Sequence, residues 1–482
     1  MASSESTPLF TVQSKFHRVK ANSKTLLATL AATIGVLGLV AYNAVPPAVV
    51  VPITQESTNL DVVDTSVSDA FFCEATPQQF GYIKLPHKVN DNYFYWFFES
   101  RSDPENDPLV LWLTGGPGGS SMIAFMSENG PCTIDKDLKT VVNPYSWINN
   151  ASVIWLDQPT GVGFSYGDSQ DDDHDEDDVG RNIYGFLQGF FKKNPKFQSH
   201  EFFISGESYG GHYVPAAAHY ILKQEPANND IKINLKGISI GNGLTDTVVQ
   251  TLYTADMVDN AYNVTVVPPE QVPALKAAAK EASELAKACQ ESPSREDLCI
   301  QAGGLLEYRV TDPLVNTFHR NLFDVREDCT NGCIDYMKYA TIYLNSPEVQ
   351  AKLHVNKTWL FVNLTVNQAF VPDEMKNYVG YIGDLLAGGV RVLIYAGDAD
   401  MACNWIGNEA WTKKLEWPYK SEYNKAAVTA LTVAGKKAGE VRMSHSLSFV
   451  RVYNAGHMVP TDQPEVALAL INRFLTDSPL DD

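Results

Sequence analysis

A serine hydroxyl becomes a useful nucleophile only when a base takes its proton, so a candidate serine is judged by its surroundings. Ser208 stands in Gly206-Glu207-Ser208-Tyr209-Gly210-Gly211, directly after the apolar run Phe202–Ser205. A G-x-S-x-G sequence between a strand and a helix makes a tight turn that exposes the hydroxyl, with glycines allowing close packing around it. Among ten histidines, His457 lies in Asn454-Ala455-Gly456-His457-Met458-Val459-Pro460, a loop following the apolar run Leu447–Val452. His212 falls one helical turn past Ser208 and points along the helix, and His445 precedes its strand, so neither suits the base. The acid that orients an imidazole should follow an earlier strand. Val390–Tyr395 leads into Ala396-Gly397-Asp398-Ala399-Asp400, which offers Asp398 and Asp400 without separating them. A tetrahedral intermediate also needs fixed N–H donors for its oxyanion. The glycines of Thr114-Gly115-Gly116-Pro117-Gly118-Gly119-Ser120-Ser121, after Leu109–Leu113, let one backbone N–H approach, and the N–H of Tyr209 supplies the second. This run lacks the Gly-Lys-Ser/Thr ending of a phosphate-binding loop.

Six short runs carry these residues: Leu109–Leu113, Val153–Leu156, Phe202–Ser205, Ile238–Ile240, Val390–Tyr395 and Leu447–Val452. They are continuously apolar rather than alternating, as in a parallel sheet covered by helices on both faces. The gap between the fourth and fifth is too long for one crossover. Residues 246–350 hold helix-rich sequence such as Ala274–Ala288 and four of the seven cysteines, and read as an insertion. With the chain order Ser…Asp…His, this predicts an α/β class protein: an α/β-hydrolase fold with an inserted helical, disulfide-containing cap.

Acidic residues outnumber basic ones 57 to 37, a formal net of −20, so nucleic acid and anionic membrane surfaces are excluded as partners. The run from Asp171 to Asp178 lacks the spacing of a calcium loop and reads as a solvated acidic loop. The cysteines (Cys73, Cys132, Cys289, Cys299, Cys329, Cys333 and Cys403) form no metal-ligand pattern. Their odd count implies disulfides plus a free thiol. Cys289/Cys299 and Cys329/Cys333 are close enough for local staples, while the full connectivity stays open. Sequons at Asn150, Asn263, Asn356 and Asn363 agree with a secretory route. Residues 1–24 are basic, and 25–45 form an uncharged apolar run of membrane-spanning length. The positive flank puts the N-terminus in the cytosol and the remainder in the lumen. A signal anchor fits better than a cleaved signal peptide, because the basic region is long and the apolar run exceeds a usual signal core. Residues 46–68 read as a stalk or pro-segment, and 69–482 as the globular domain.

In sum these motifs resemble the serine carboxypeptidase family over about residues 70–476. The resemblance rests on Trp112–Ser121 (WLTGGPGGSS), Gly206–Gly211 (GESYGG), Gly241–Asp246 (GNGLTD), Gly397–Asn408 (GDADMACNWIGN) and Gly456–Pro460 (GHMVP). It implies Ser208 as nucleophile, Asp400 rather than Asp398 as the orienting acid, His457 as base, and Gly116 and Tyr209 as oxyanion donors. It further implies that Trp112, Thr114, Gly115, Glu128 and Glu207 receive the substrate's C-terminal carboxylate, with Cys403 and Met458 in the substrate pocket. Two carboxyls sharing a site cannot both ionise easily, so the Glu128/Glu207 pair should hold a proton and favour activity at acidic pH. Cys403 matches a free thiol of carboxypeptidase Y-like members. Two positions depart from the pattern. Thr114 replaces an asparagine, and Gly119 replaces a disulfide cysteine whose expected partner region, near Val362, also lacks one.

The expected partners are peptide or protein C-termini, in a vacuolar, lysosomal or otherwise secretory lumen. The membrane is met only through the N-terminal segment. No cofactor is needed, since side chains and backbone fill each role. An acyltransferase on the same scaffold is disfavoured by Glu128 and Glu207, and a non-catalytic scaffold by the intact Ser, Asp and His.

Overall fold

The structure is a computed structural model that describes residues 63–64 and 72–481, except 225–229, 293, 334 and 336. The basic terminus 1–24 and the apolar run 25–45 lie outside the described residues, as does the 46–68 segment apart from Val63 and Asp64.

One large sheet organises the chain. Its strands are β1 (Val63–Asp64), β2 (Gln78–Lys84), β3 (Asn92–Phe98), β4 (Leu109–Thr114), β5 (Ser152–Leu156), β6 (Phe202–Glu207), β7 (Leu235–Gly241), β8 (Arg391–Gly397), β9 (Val428–Val433), β10 (Lys436–Ser444) and β11 (Leu447–Val452). The spatial order is β1-β2-β3-β5-β4-β6-β7-β8-β11-β10-β9. The six strands read from sequence form its parallel centre, β5 to β11 in that order. The other five strands are antiparallel and flank it on both edges. They escaped the sequence reading because β2 and β3 are aromatic rather than β-branched, while β9 and β10 alternate with exposed polar residues.

Period-two alternation splits the core between the two faces of the sheet. Phe94, Trp96, Phe98, Val110, Trp112, Val153, Trp155 and Val450 pack on one face, beneath the helices Met122–Ser127 and Pro464–Leu475. Tyr93, Tyr95, Phe97, Leu109, Leu111, Leu113, Ile154, Ile204 and Phe449 pack on the other, beneath Glu176–Lys193 and Gly210–Lys223. The long connection from β7 to β8 is mainly helical, with Val272–Glu291 its longest helix. Disulfides Cys289–Cys299 and Cys329–Cys333 lie in it.

The acidic run 171–178 corrects the sequence reading. Asp171, Asp173 and Glu176 are buried. Asp171 accepts the backbone N–H groups of Val89 and Asn90, while Asp173 accepts Lys88, Tyr93, Thr160 and Asn182. Asp175 caps the helix that Glu176, Asp177 and Asp178 begin, its side chain accepting Asp178 N. The run is thus a fastening and a helix start, not a solvated loop.

A third disulfide joins Cys73 to Cys132 across a sequence separation of 59. Closing a loop of that length restricts the unfolded chain by about 4 kcal/mol on the chain-entropy account. The double variant Cys73→Ser/Cys132→Ser should lose about 2–4 kcal/mol, seen as a lower denaturant midpoint with the other bridges intact. An unchanged midpoint would show that the bridge adds nothing to the packing of Phe72 and the strands beside it.

Candidate active site

Ser208 leaves the end of β6 with φ +62°, the left-handed region that a non-glycine residue enters only under constraint. The turn is held from several sides. Ser208 N donates to Gly241 O at 3.1 Å, and Ser208 O accepts Gly211 N and Leu244 N, both at 2.9 Å. The side chain stays half-buried at the head of the helix Gly210–Lys223.

His457 and Asp400 come from the loops after β11 and β8, which pair in parallel with Gly397 opposite Val452. Asp400 Oδ2 lies 2.8 Å from His457 Nδ1. The same oxygen accepts Asn242 Nδ2 at 2.7 Å and Cys403 N at 3.1 Å, and Oδ1 accepts Ala402 N at 2.9 Å. Asp400 has no exposed surface and His457 only 5 %. Asp398 serves elsewhere: it accepts Tyr262 OH and Asn454 N and pairs with Arg451 at 3.3 Å. The geometry therefore separates the two aspartates that sequence spacing left together. His212 is fully buried, stacks on Tyr209 with ring centroids 4.4 Å apart, and places Nδ1 2.6 Å from Leu244 O.

The glycine-rich loop lies against the nucleophile turn. A Cβ on Gly115 would stand 2.3 Å from Tyr209 N and 2.7 Å from Glu207 O, so only glycine fits. Gly116 follows with φ +122°, a conformation open to glycine, and is exposed. Tyr209 is pinned by its hydroxyl, which donates to Asp373 Oδ2 at 2.8 Å. Where the family pattern has a disulfide, Gly119 instead forms a backbone bridge with Val362, flanked by Ser120 N to Phe361 O and Asn363 N to Gly118 O, both 2.9 Å.

Beside this constellation the buried Trp112 donates from Nε1 to Thr114 Oγ1 at 2.9 Å, which leaves the threonine hydrogen free to point elsewhere. Glu128 and Glu207 are both 3 % exposed. Neither Glu128 oxygen, nor Glu207 Oε2, meets a donor among the described residues. Burial pushes Glu128 up to about 7, and burial followed by the Glu128 charge pushes Glu207 well above the usual carboxyl range. Cys403 carries the free thiol among the described residues, its pKa raised by burial and by the Asp400 charge. Met458 is half-buried next to His457 in the chain.

Of the four sequons, Asn150, Asn263 and Asn356 are exposed. Asn363 is half-buried and caps the helix Leu364–Ala369, with Nδ2 donating to Gly161 O at 2.9 Å and Oδ1 accepting Thr365 N. Its amide is committed within the fold. The sequence reading missed Asn242 and Phe323. The first anchors Asp400, and its backbone turns at φ +40° after Gly241, a sequence of turn type directly beyond β7. The second packs its ring 4.9 Å from the His457 ring and accepts His457 N at 2.8 Å, a contact between distant segments that no local signal announces. No group of metal ligands and no helix long and apolar enough to cross a membrane occurs among the described residues.

Helices on both faces of a largely parallel sheet, a serine at a strained strand–helix turn and an Asp–His pair beyond two later strands define an α/β-hydrolase. Residues 72–477 match the serine carboxypeptidase family, and the chain belongs to that family of peptide hydrolases. It is 39 % identical over 435 residues to the vacuolar serine-type carboxypeptidase ATG42 of Saccharomyces cerevisiae, covering 88 % of this chain and 83 % of that protein. It is 41 % identical over 409 residues to carboxypeptidase Y of Candida albicans, covering 84 % and 74 %. The crystal structure of Kex1(delta)p, a prohormone-processing carboxypeptidase from Saccharomyces cerevisiae, matches with a TM-score of 0.70 at 25 % identity, over 83 % of this chain and 92 % of that one.

The two aspartates should respond differently to neutralisation. Asp400→Asn is expected to lower kcat by about 10⁴-fold with little change in KM, because an amide favours the wrong imidazole tautomer. Asp398→Asn should keep most of kcat and lose about 1–3 kcal/mol of stability through Tyr262, Arg451 and the Asn454 amide. Steady-state kinetics with thermal unfolding read both effects, and equal kinetic losses would contradict the geometry.

Proposed function

We propose that this carboxypeptidase removes C-terminal residues from peptides through an acyl-enzyme on Ser208. His457 Nε2 takes the Ser208 proton as Oγ attacks the last peptide carbonyl, and Asp400 holds Nδ1–H so that Nε2 is the basic nitrogen. The N–H groups of Gly116 and Tyr209 receive the oxyanion. Collapse of the tetrahedral intermediate expels the C-terminal amino acid, protonated by His457. Water, activated by the same imidazole, then attacks the ester and frees Ser208.

The observation that carries exopeptidase specificity is the buried, donor-poor Glu128/Glu207 pair next to the nucleophile. A protonated carboxyl donates a hydrogen bond to the substrate carboxylate, and an ionised pair repels it. Trp112, Thr114 and Gly115 complete this end of the cleft, the Thr114 hydroxyl donating in place of an asparagine amide. Cys403 and Met458 line the pocket for the departing residue. Glycans are assigned to Asn150, Asn263 and Asn356. The disulfides and the vacuolar relative support a vacuolar or other secretory lumen. Delivery there, with or without lasting membrane anchorage, is assigned to residues 25–45.

Glu128, raised to about 7, holds its proton at low pH and loses it as pH rises through about 7, while Glu207, pushed well above the usual carboxyl range, keeps its own. Release of the C-terminal amino acid from a blocked dipeptide should therefore be efficient in acid, with KM rising above about pH 7. An ester substrate lacking a free carboxylate should show no such rise. Glu128→Gln, a donor at every pH, should flatten the KM profile, and Ser208→Ala should abolish release and organophosphate labelling. Labelling of Ser208 without release at any pH would discard the peptidase reading.

A further inference from the structure

His457 and Asp400 sit on loops that leave different strands, and the register of β8 with β11 fixes only where those loops begin. A short hairpin of the inserted segment, Arg320–Asn321 paired with Asp324–Asp328, spans both. On the acid side, Met401 N and Ala402 N donate to Leu322 O, each at 3.1 Å, and Val325 N donates to Ala399 O at 2.8 Å. On the histidine side, His457 N donates to Phe323 O at 2.8 Å. A Cβ on Gly456 would stand 2.4 Å from Phe323 O, so the histidine loop lies flat on the hairpin.

Arg326 locks this contact. Its Nε donates to Asp324 Oδ1 at 2.8 Å, and its Nη2 reaches Asp324 Oδ2 and, at 3.2 Å, Asp462 Oδ2. Asp462 Oδ2 also accepts the N–H of Gly456 at 2.6 Å, one residue before His457. The Tyr262 ring lies 5.5 Å from the guanidinium, and its hydroxyl joins Asp398, which accepts Asn454 N at the start of the same loop. A planar guanidinium engaged along its edge by one carboxylate has little freedom, so its grip on the second carboxylate is directional.

We propose that Arg326 is a positioning residue for this reaction. Through Asp462 and the Gly456 amide it holds the histidine loop on the hairpin, at the spacing from Asp400 that the Nδ1 contact requires. The proposal rests on the reading of His457 as the base. Arg326 touches neither substrate nor the reacting atoms, so its loss should slow the chemical steps and leave binding nearly unchanged.

The test compares full-length wild type, Arg326→Met, Arg326→Lys and Asp462→Asn in blocked-dipeptide hydrolysis and in the rate of Ser208 labelling by an organophosphate. Arg326→Met is expected to lower kcat about 10²-fold with KM within about threefold, and to slow labelling by a similar factor. Arg326→Lys should recover part of the rate, since one ammonium reaches one carboxylate where the fork reaches two. Asp462→Asn keeps an acceptor for Gly456 N but loses the ion pair, and should fall between; it carries the test if Arg326→Met does not fold. A folded variant with kcat within about twofold of wild type, or with its whole loss in KM, overturns the proposal. If the wild type labels but cleaves no dipeptide, the peptidase reading fails separately. The labelling rates then decide on Arg326, slower supporting the proposal and equal overturning it.

Discussion

Asp400 has no exposed surface, and a carboxylate buried so completely stays charged only if donors replace the water it has lost. Its oxygens meet four: the His457 ring, the Asn242 amide and the backbone N–H groups of Ala402 and Cys403. These come from beyond β7, β8 and β11, neighbouring parallel strands whose registers bring Gly241 beside Tyr395 and Val452 beside Gly397. Satisfying one charge thus requires three loops to converge at one end of the sheet. That convergence carries the imidazole to its place, and the β7 end also binds Ser208 N. A slip of one residue in any of these strands would turn the side chains to the opposite face and leave the charge unpaired.

The same cleft treats two other carboxyls in the opposite way. Glu128 and Glu207 are nearly as buried as Asp400 but find almost no donors, so burial drives them toward the neutral form. One acid solvated by fixed dipoles and two pushed toward the neutral form by their absence is a division of labour set by environment rather than residue type. On the proposed function, it separates the charge that orients the base from the proton offered to a substrate carboxylate.

Thr114 and Gly119 depart from the family pattern without leaving their surroundings unsupported. The Thr114 oxygen receives the Trp112 indole N–H, and its own hydrogen remains available. The Gly119–Val362 bridge and the hydrogen bonds around it tie the glycine-rich loop to the segment before Leu364–Ala369, where Asn363 caps the helix and reaches Gly161. A backbone pairing stands here where the family pattern has a disulfide, and the Asn363 side-chain amide that a sequon alone would assign to a glycan donates to Gly161 O instead.

Local and semi-local information was legible in the chain. The six central strands announced themselves because a strand buried on both faces must be apolar throughout. The turn at Ser208 and the glycine-rich loop were legible because their conformations admit few residue types. The antiparallel flanks were not, since aromatic β3 and alternating β10 obey other patterns, and the acidic run misled because its partners Lys88, Val89, Asn90 and Tyr93 are distant in sequence. Spacing could not choose between Asp398 and Asp400, pair Cys73 with Cys132, or find Asn242 and Phe323 beside the Asp–His pair. Each of those depends on which loops meet in space. The sequence by itself determined the reaction class and the central sheet, because both are written in residue types at short range. Only the tertiary structure decided which groups surround Asp400, which donors Glu128 and Glu207 lack and what holds the loops together, because burial and donor supply arise when distant segments pack.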